Sequence, residues 1–269
     1  MNVYKTSIWN LLQNKSQKVG SYPMNAQQPT RIAMWSGPRN ISTAMMRAFE
    51  NRADCAVWDE PFYGPFLSQT GKPHPLAAEI IADQGDDWQA VIDGVCGPAP
   101  DDKPLFYQKH MTHHMLPDLP LDWMDKLTNC FLIRDPAEVL TSYQVKRSEF
   151  DASDLGFPQQ LRLFNHVTER SGRIPVVIEG KAILKNPRKA LSVLCTAINI
   201  PFDEDMLNWP VGVRDTDGVW GKHWYDRVWL SSGFSAFEPK VISLSTEQQI
   251  MVDECRPSFE TLYEHRLIV

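Results

Sequence analysis

Short, nearly unbroken apolar runs punctuate the chain at 32–35, 56–58, 104–109, 129–133 and 175–179. They are too uniformly apolar for a sheet with one wet face, so they predict strands buried on both sides. Between and after them, 42–52, 76–82, 88–95, 136–147, 158–171 and 187–199 read as helices, and Pro136 and Pro187 mark first turns. This alternation predicts an α/β fold: a central, mainly parallel sheet flanked by helices. Residues 1–29, rich in Asn, Gln, Ser and Lys, read as a flexible leader with a short helix near 8–12, and 30–269 as one α/β domain. From about residue 210 onward the periodicity weakens and Trp, Gly and Ser accumulate; this stretch is expected to wrap the sheet.

Composition narrows the partners. Of 269 residues, 43% are hydrophobic and 22% charged, enough for a sizeable core. The net charge of −6 argues against non-specific contact with nucleic acid or an anionic membrane, so an anionic ligand needs a local cluster of cations. The five cysteines form no CxxC and read as free thiols in a reducing cytoplasm. No apolar run reaches membrane-spanning length, and the N-terminus has no h-region.

The candidate chemistry begins where the first strand meets the first helix, in "SGPRNIST", residues 36–43. Ligands of open parallel sheets sit beyond the carboxyl ends of the strands. A helix start there offers unpaired N–H groups and partial positive charge, Ser42 and Thr43 add hydroxyls, and Arg39 adds a permanent fork of donors. The same residues also suit a plain helix cap with a solvated arginine. GxxxxGK[ST] is absent, which counts against an ATPase or GTPase.

"PRNIST" resembles the phosphosulfate loop of sulfotransferases that use 3′-phosphoadenosine 5′-phosphosulfate (PAPS), with Arg39 in place of the family's lysine and Ser42 and Thr43 as its hydroxyl pair. "FLIRDPAEVLTSY", residues 131–143, is similar to that family's strand–helix motif for the 3′-phosphate, with Arg134 and Ser142 at the matching spacing. Residues 177–202 resemble a third family segment, with Ile178 where a tyrosine near adenine is common. "WGKHWYDRVWLSSGF", residues 220–234, occupies the place of the segment that covers the nucleotide. The resemblance spans about 31–205 and implies a P-loop NTPase-like fold. It implies PAPS as donor, with 3′-phosphoadenosine 5′-phosphate (PAP) as product. Gly37, Pro38, Arg39, Asn40, Ile41, Ser42, Thr43, Arg134 and Ser142 are its expected binding residues, joined by Lys222 and Arg227 as further 3′-phosphate candidates.

The acceptor must lose a proton, and two bases are open. His110 in "QKHMTHHMLP" resembles the family's catalytic histidine, and its unperturbed pKa suits the task. Glu60 in "WDEPFYG" matches the EP segment of carbohydrate sulfotransferases and would serve if burial raised its pKa. His110 is the preferred base, with Arg39 stabilising charge. His110, His113 and His114 lack a nearby carboxylate or Cys in sequence, so no metal site is expected. The expected activity is transfer of a sulfuryl group from PAPS to a hydroxyl, or an amine, of a small acceptor. The alternatives are a small-molecule kinase on the same scaffold and a non-catalytic nucleotide-binding module.

Overall fold

The computed structural model describes residues 28–147, 149–239 and 241–269. The expected leader, apart from Gln28 and Pro29, and its short helix lie outside these residues. Five strands, β1 (Thr30–Ser36), β2 (Cys55–Asp59), β3 (Leu105–Met111), β4 (Thr128–Ile133) and β5 (Val176–Glu179), form one sheet in the order β2-β3-β1-β4-β5. Every pairing is parallel. Each predicted strand is present and extends at most two residues past its expected end.

Alternation along β1 divides the core. Ala33 and Trp35 face a cluster with Phe106, Phe131 and Val177, while Ile32 and Met34 face another with Tyr107, Leu132 and Ile178. The first face is covered by α4 (Trp88–Val95), α5 (Pro136–Tyr143), α6 (Phe157–Ser171) and α11 (Thr246–Glu264). The second is covered by α1 (Ser42–Glu50), α7 (Gly180–Lys185) and α8 (Pro187–Ala197). The helices α2 (Tyr63–Thr70) and α3 (Ala77–Gln84) build a smaller cluster around Tyr63, Phe66 and Ile80. Trp220 and Tyr225 join that cluster from a C-terminal strap carrying α9 (Gly221–Trp224) and α10 (Asp226–Trp229). Among the described residues, no helix is long and apolar enough to cross a membrane.

Five α-helices escape the sequence pattern, α2, α7, α9, α10 and α11, and two of them show why. In α11, which spans 19 residues and contains Pro257, only Val252, Cys255, Ser258, Phe259 and Leu262 are buried, so its apolar stripe is thin. In α2, Pro65 and a short amphipathic stretch conceal a helix that starts immediately after "DEPF".

The strap is fastened to α1. Arg47, 1% exposed, pairs with Asp217 at 2.5 Å and Glu50 at 2.8 Å. Trp229 Nε1 donates to Asp217 at 2.9 Å, and the Gly218 amide donates to Asp59 at 3.2 Å. The expectation that this stretch wraps the body holds, and these bonds set where its side chains project.

Candidate functional site

β1, β2, β3 and β4 all end at one edge, and their following residues line a cleft of about 290 Å³. The loop after β1 is strained. Arg39 (φ 59°) and Ile41 (φ 55°) both adopt the left-handed region, which costs about 1–2 kcal/mol per non-glycine residue. Two bonds from β4 hold the loop: Asn40 Nδ2 donates to the Leu132 carbonyl at 2.7 Å, and Arg134 Nη1 donates to the Arg39 carbonyl at 2.7 Å. From Asn40 through Ala44 the chain lines the cleft, and α1 begins there with no side-chain cap. Its first-turn amides therefore remain available to an anion. Asn40 Oδ1 is buried without a hydrogen-bond partner among the described residues.

Gly37 does not line the cleft, contrary to expectation. It is a packing glycine: a Cβ there would sit 2.5 Å from the Leu155 carbonyl oxygen, a backbone atom that has little room to yield. We expect Gly37→Ala to destabilise the fold by about 1–3 kcal/mol through overpacking, read from the denaturation midpoint; an unchanged midpoint would show that the loop is free to shift.

Arg134 and Ser142, the pair with the matching spacing, both line the cleft and both meet Arg39. Arg39 Nε donates to Ser142 Oγ at 3.1 Å, and Arg134 Nε also pairs with Glu138 at 2.8 Å. The helix returns over the strand edge because Asp135 caps α5 through the Ala137 amide at 2.8 Å. From α10 Arg227 reaches the same end of the cleft. Burial first, and then the charge of Arg227, lower the pKa of Arg39 below its ordinary value. Lys222 is not brought in. Its side chain points outward to Glu79 at 2.5 Å, so of the two strap cations only Arg227 faces the site.

At the other end lies a buried charged cluster. Lys109 Nζ donates to Asp59 Oδ1 at 2.8 Å, to Glu60 Oε1, and to the Tyr225 hydroxyl at 2.8 Å. That hydroxyl donates to Asp59 Oδ2 at 2.7 Å and accepts from Trp220 Nε1 at 3.0 Å. One ammonium thus serves two carboxylates. Burial pushes the Glu60 pKa up to about 7; Lys109 opposes the shift and the Asp59 charge adds to it. Glu60, Lys109 and Tyr225 all line the cleft. Glu60 Oε2 lies 4.0 Å from His114 Nε2.

His110 faces the opposite way from its neighbour Lys109, as adjacent strand residues must. Its ring stacks on Trp35 with centroids 4.3 Å apart, and Nε2 meets Gln108 Oε1 at 3.2 Å. It is 1% exposed, does not line the cleft, and burial lowers its pKa to about 3. His110 is therefore a neutral core residue, and of the two candidate bases only Glu60 lines the cleft. His113 lines the cleft, whereas His114 is enclosed between Tyr63 and Phe66. No group of metal-ligating side chains occurs among the described residues.

Sequence reasoning missed Lys109, Tyr225 and Asp59. The quoted segments contained all three, but their partnership joins positions far apart in the chain, and no local spacing signals it.

Comparison with known proteins agrees with the fold. Residues 30–261 match the family described as "Sulfotransferase domain". The branched-chain-amino-acid aminotransferase-like proteins 2 and 1 of Arabidopsis thaliana are each 30% identical, over 236 and 239 residues. The matches cover 87% and 88% of this chain but 41% and 42% of those proteins, so the chain spans about two fifths of the curated relatives it matches. Among solved structures, the sulfotransferase domain of the Synechococcus PCC 7002 olefin synthase superposes with TM-score 0.56 at 17% identity, covering 90% of this chain and 98% of that one. A sulfotransferase from Alicyclobacillus acidocaldarius does so with TM-score 0.51 at 9% identity, with 90% and 98% covered. The parallel sheet is thus the P-loop NTPase-like sheet of these folds, and the chain belongs to the sulfotransferase domain family.

Proposed function

We propose that the protein transfers the sulfuryl group of PAPS to a hydroxyl, or an amine, of a small acceptor. The observation that carries this reading is a single cleft with an uncapped helix start and three arginines at one end and a buried carboxyl titrating near 7 at the other. The free first-turn amides, all donors, fit a polyanionic nucleotide at the arginine end. Ile41 stands where a Walker loop would carry its lysine, which favours PAPS over ATP.

In this reading Glu60 takes the acceptor's proton as the acceptor oxygen bonds to sulfur. Arg39 and the α1 amides stabilise the negative charge that develops on the phosphate oxygen as its bond to sulfur breaks. Arg39 keeps its own proton throughout, so its contribution is electrostatic. Lys109 and Tyr225 fix the Glu60 carboxyl, and Arg134 and Arg227 hold the 3′-phosphate. Five free cysteines, four of them buried, are consistent with a reducing cytoplasm.

Calorimetry with PAP tests the donor site. Arg134→Ala should weaken PAP by about 1.5–3 kcal/mol, the scale of a hydrogen bond to a charged group, and weaken the analogue lacking the 3′-phosphate far less. Equal losses for both ligands would remove the 3′-phosphate from Arg134. Turnover with PAPS in the presence of a chelator, and none with ATP and magnesium, separates this reading from a kinase. PAP binding without turnover on any acceptor would leave a nucleotide-binding module.

A further inference from the structure

All but one of the cleft's lysines and arginines sort into two groups. Arg134 and Lys109 each have carboxylate partners, as does Lys72, which pairs with Asp154 at 2.5 Å. Arg39 and Arg227 bear on one another at the nucleotide end. Arg147 belongs to neither arrangement. It lines the cleft, is half-buried, and has no carboxylate within 4.0 Å among the described residues. Its Nη2 donates to the Pro73 carbonyl at 3.2 Å and its guanidinium hydrogen-bonds the Tyr143 side chain, both neutral partners, so its charge is not balanced by them.

The surroundings of Arg147 are aromatic. Tyr63 Oη meets His74 Nε2 at 2.7 Å, Tyr143 stacks on Trp224 with centroids 6.1 Å apart, and Phe66 meets the edge of His113 at 5.8 Å. All six rings line the cleft, and Tyr63 and Tyr143 lie near enough to Glu60 to feel its charge. Burial first, then the Arg147 charge, holds His74 at about 4, so that ring is neutral near pH 7 and adds no competing cation. An unpaired guanidinium set among flat rings suits one ligand chemistry: a planar apolar body that carries an anionic group.

We propose that the acceptor is an aromatic or similarly flat apolar molecule bearing a carboxylate, which Arg147 binds while the rings enclose its body. The proposal rests on the reading of the Glu60 end as the acceptor end. It makes Arg147 a specificity residue, remote from the atoms that react. Lys72, held by Asp154, is left out of the carboxylate site.

Phenylacetate and phenylacetamide share shape and differ in charge. Titrating each into the protein, with and without saturating PAP, tests the site without any acceptor being known. Phenylacetate should bind roughly 10- to 100-fold more tightly than the amide. Arg147→Gln should erase that preference while PAP binds as before, and Arg147→Lys should retain part of it. Equal binding of acid and amide, or no measurable binding of phenylacetate, overturns the proposal. So does an acid preference that survives in Arg147→Gln. Failure of PAP to bind, with the acid preference intact, would instead overturn the donor assignment and leave the carboxylate site standing.

Discussion

Glu60→Gln should lower turnover by roughly 10²- to 10⁴-fold while PAP affinity stays unchanged. Glutamine keeps the size and shape of the side chain and removes its basicity, and nothing in the cluster requires Glu60 to touch the nucleotide. The wild-type rate should rise as pH increases through about 7, because burial pushes the Glu60 carboxyl there and only its ionised form accepts a proton. That ascending limb should vanish in the variant. His110→Ala is the paired measurement. Losing the stack on Trp35 should reduce stability, but each folded molecule should keep its turnover. If instead a well-folded His110→Ala is inactive and Glu60→Gln remains active, the base is not Glu60.

Lys109→Met should cost about 3–5 kcal/mol of stability at neutral pH, the penalty for removing one partner of a buried ionic cluster. The methionine replaces the alkyl stem but leaves the carboxyls of Asp59 and Glu60, 2% and 8% exposed, without their shared cation. In the wild type, burial works to discharge Lys109, yet the two carboxylates outweigh it and hold its pKa above the ordinary value. A raised lysine pKa contributes stability that is fully present below its unfolded value and is lost only as pH rises through the folded one. The wild-type contribution is therefore intact across the neutral range. The variant should recover stability as pH falls, because protonation removes the uncompensated charge. Denaturant unfolding at several pH values measures both effects. A loss below about 1 kcal/mol, flat with pH, would show that the cluster is not held together by charge.

Both predictions depend on a side chain's partners, and those are what the chain hides. The strands were legible because a strand buried on both faces needs a local run of apolar residues, and the helices between them because Pro136, Pro187 and the apolar spacing act within a few turns. That Arg134 and Ser142 face one cleft was legible for the same reason: both sit within one strand–helix unit, and a helix returning over its strand edge turns both toward it. The faint stripe of α11, five buried positions in 19, was too weak to stand out.

The sequence alone thus determined the α/β order, the loop at the end of β1 and the family to which its motifs point. Which face of the sheet opens at the site was decided by tertiary structure. Lys109 and His110 are neighbours whose side chains must point to opposite faces, and no residue of β3 records which face the cleft occupies until α1, α2 and the strap are packed. The strap made the same choice between Lys222 and Arg227, which differ only in where two short helices turn them. The contrast between the two candidate bases followed from that packing, because burial raises the Glu60 pKa against the pull of Lys109, and burial lowers that of His110 in its place against Trp35. These are environments assembled from residues distant in the chain, and a pKa belongs to the environment as much as to the residue.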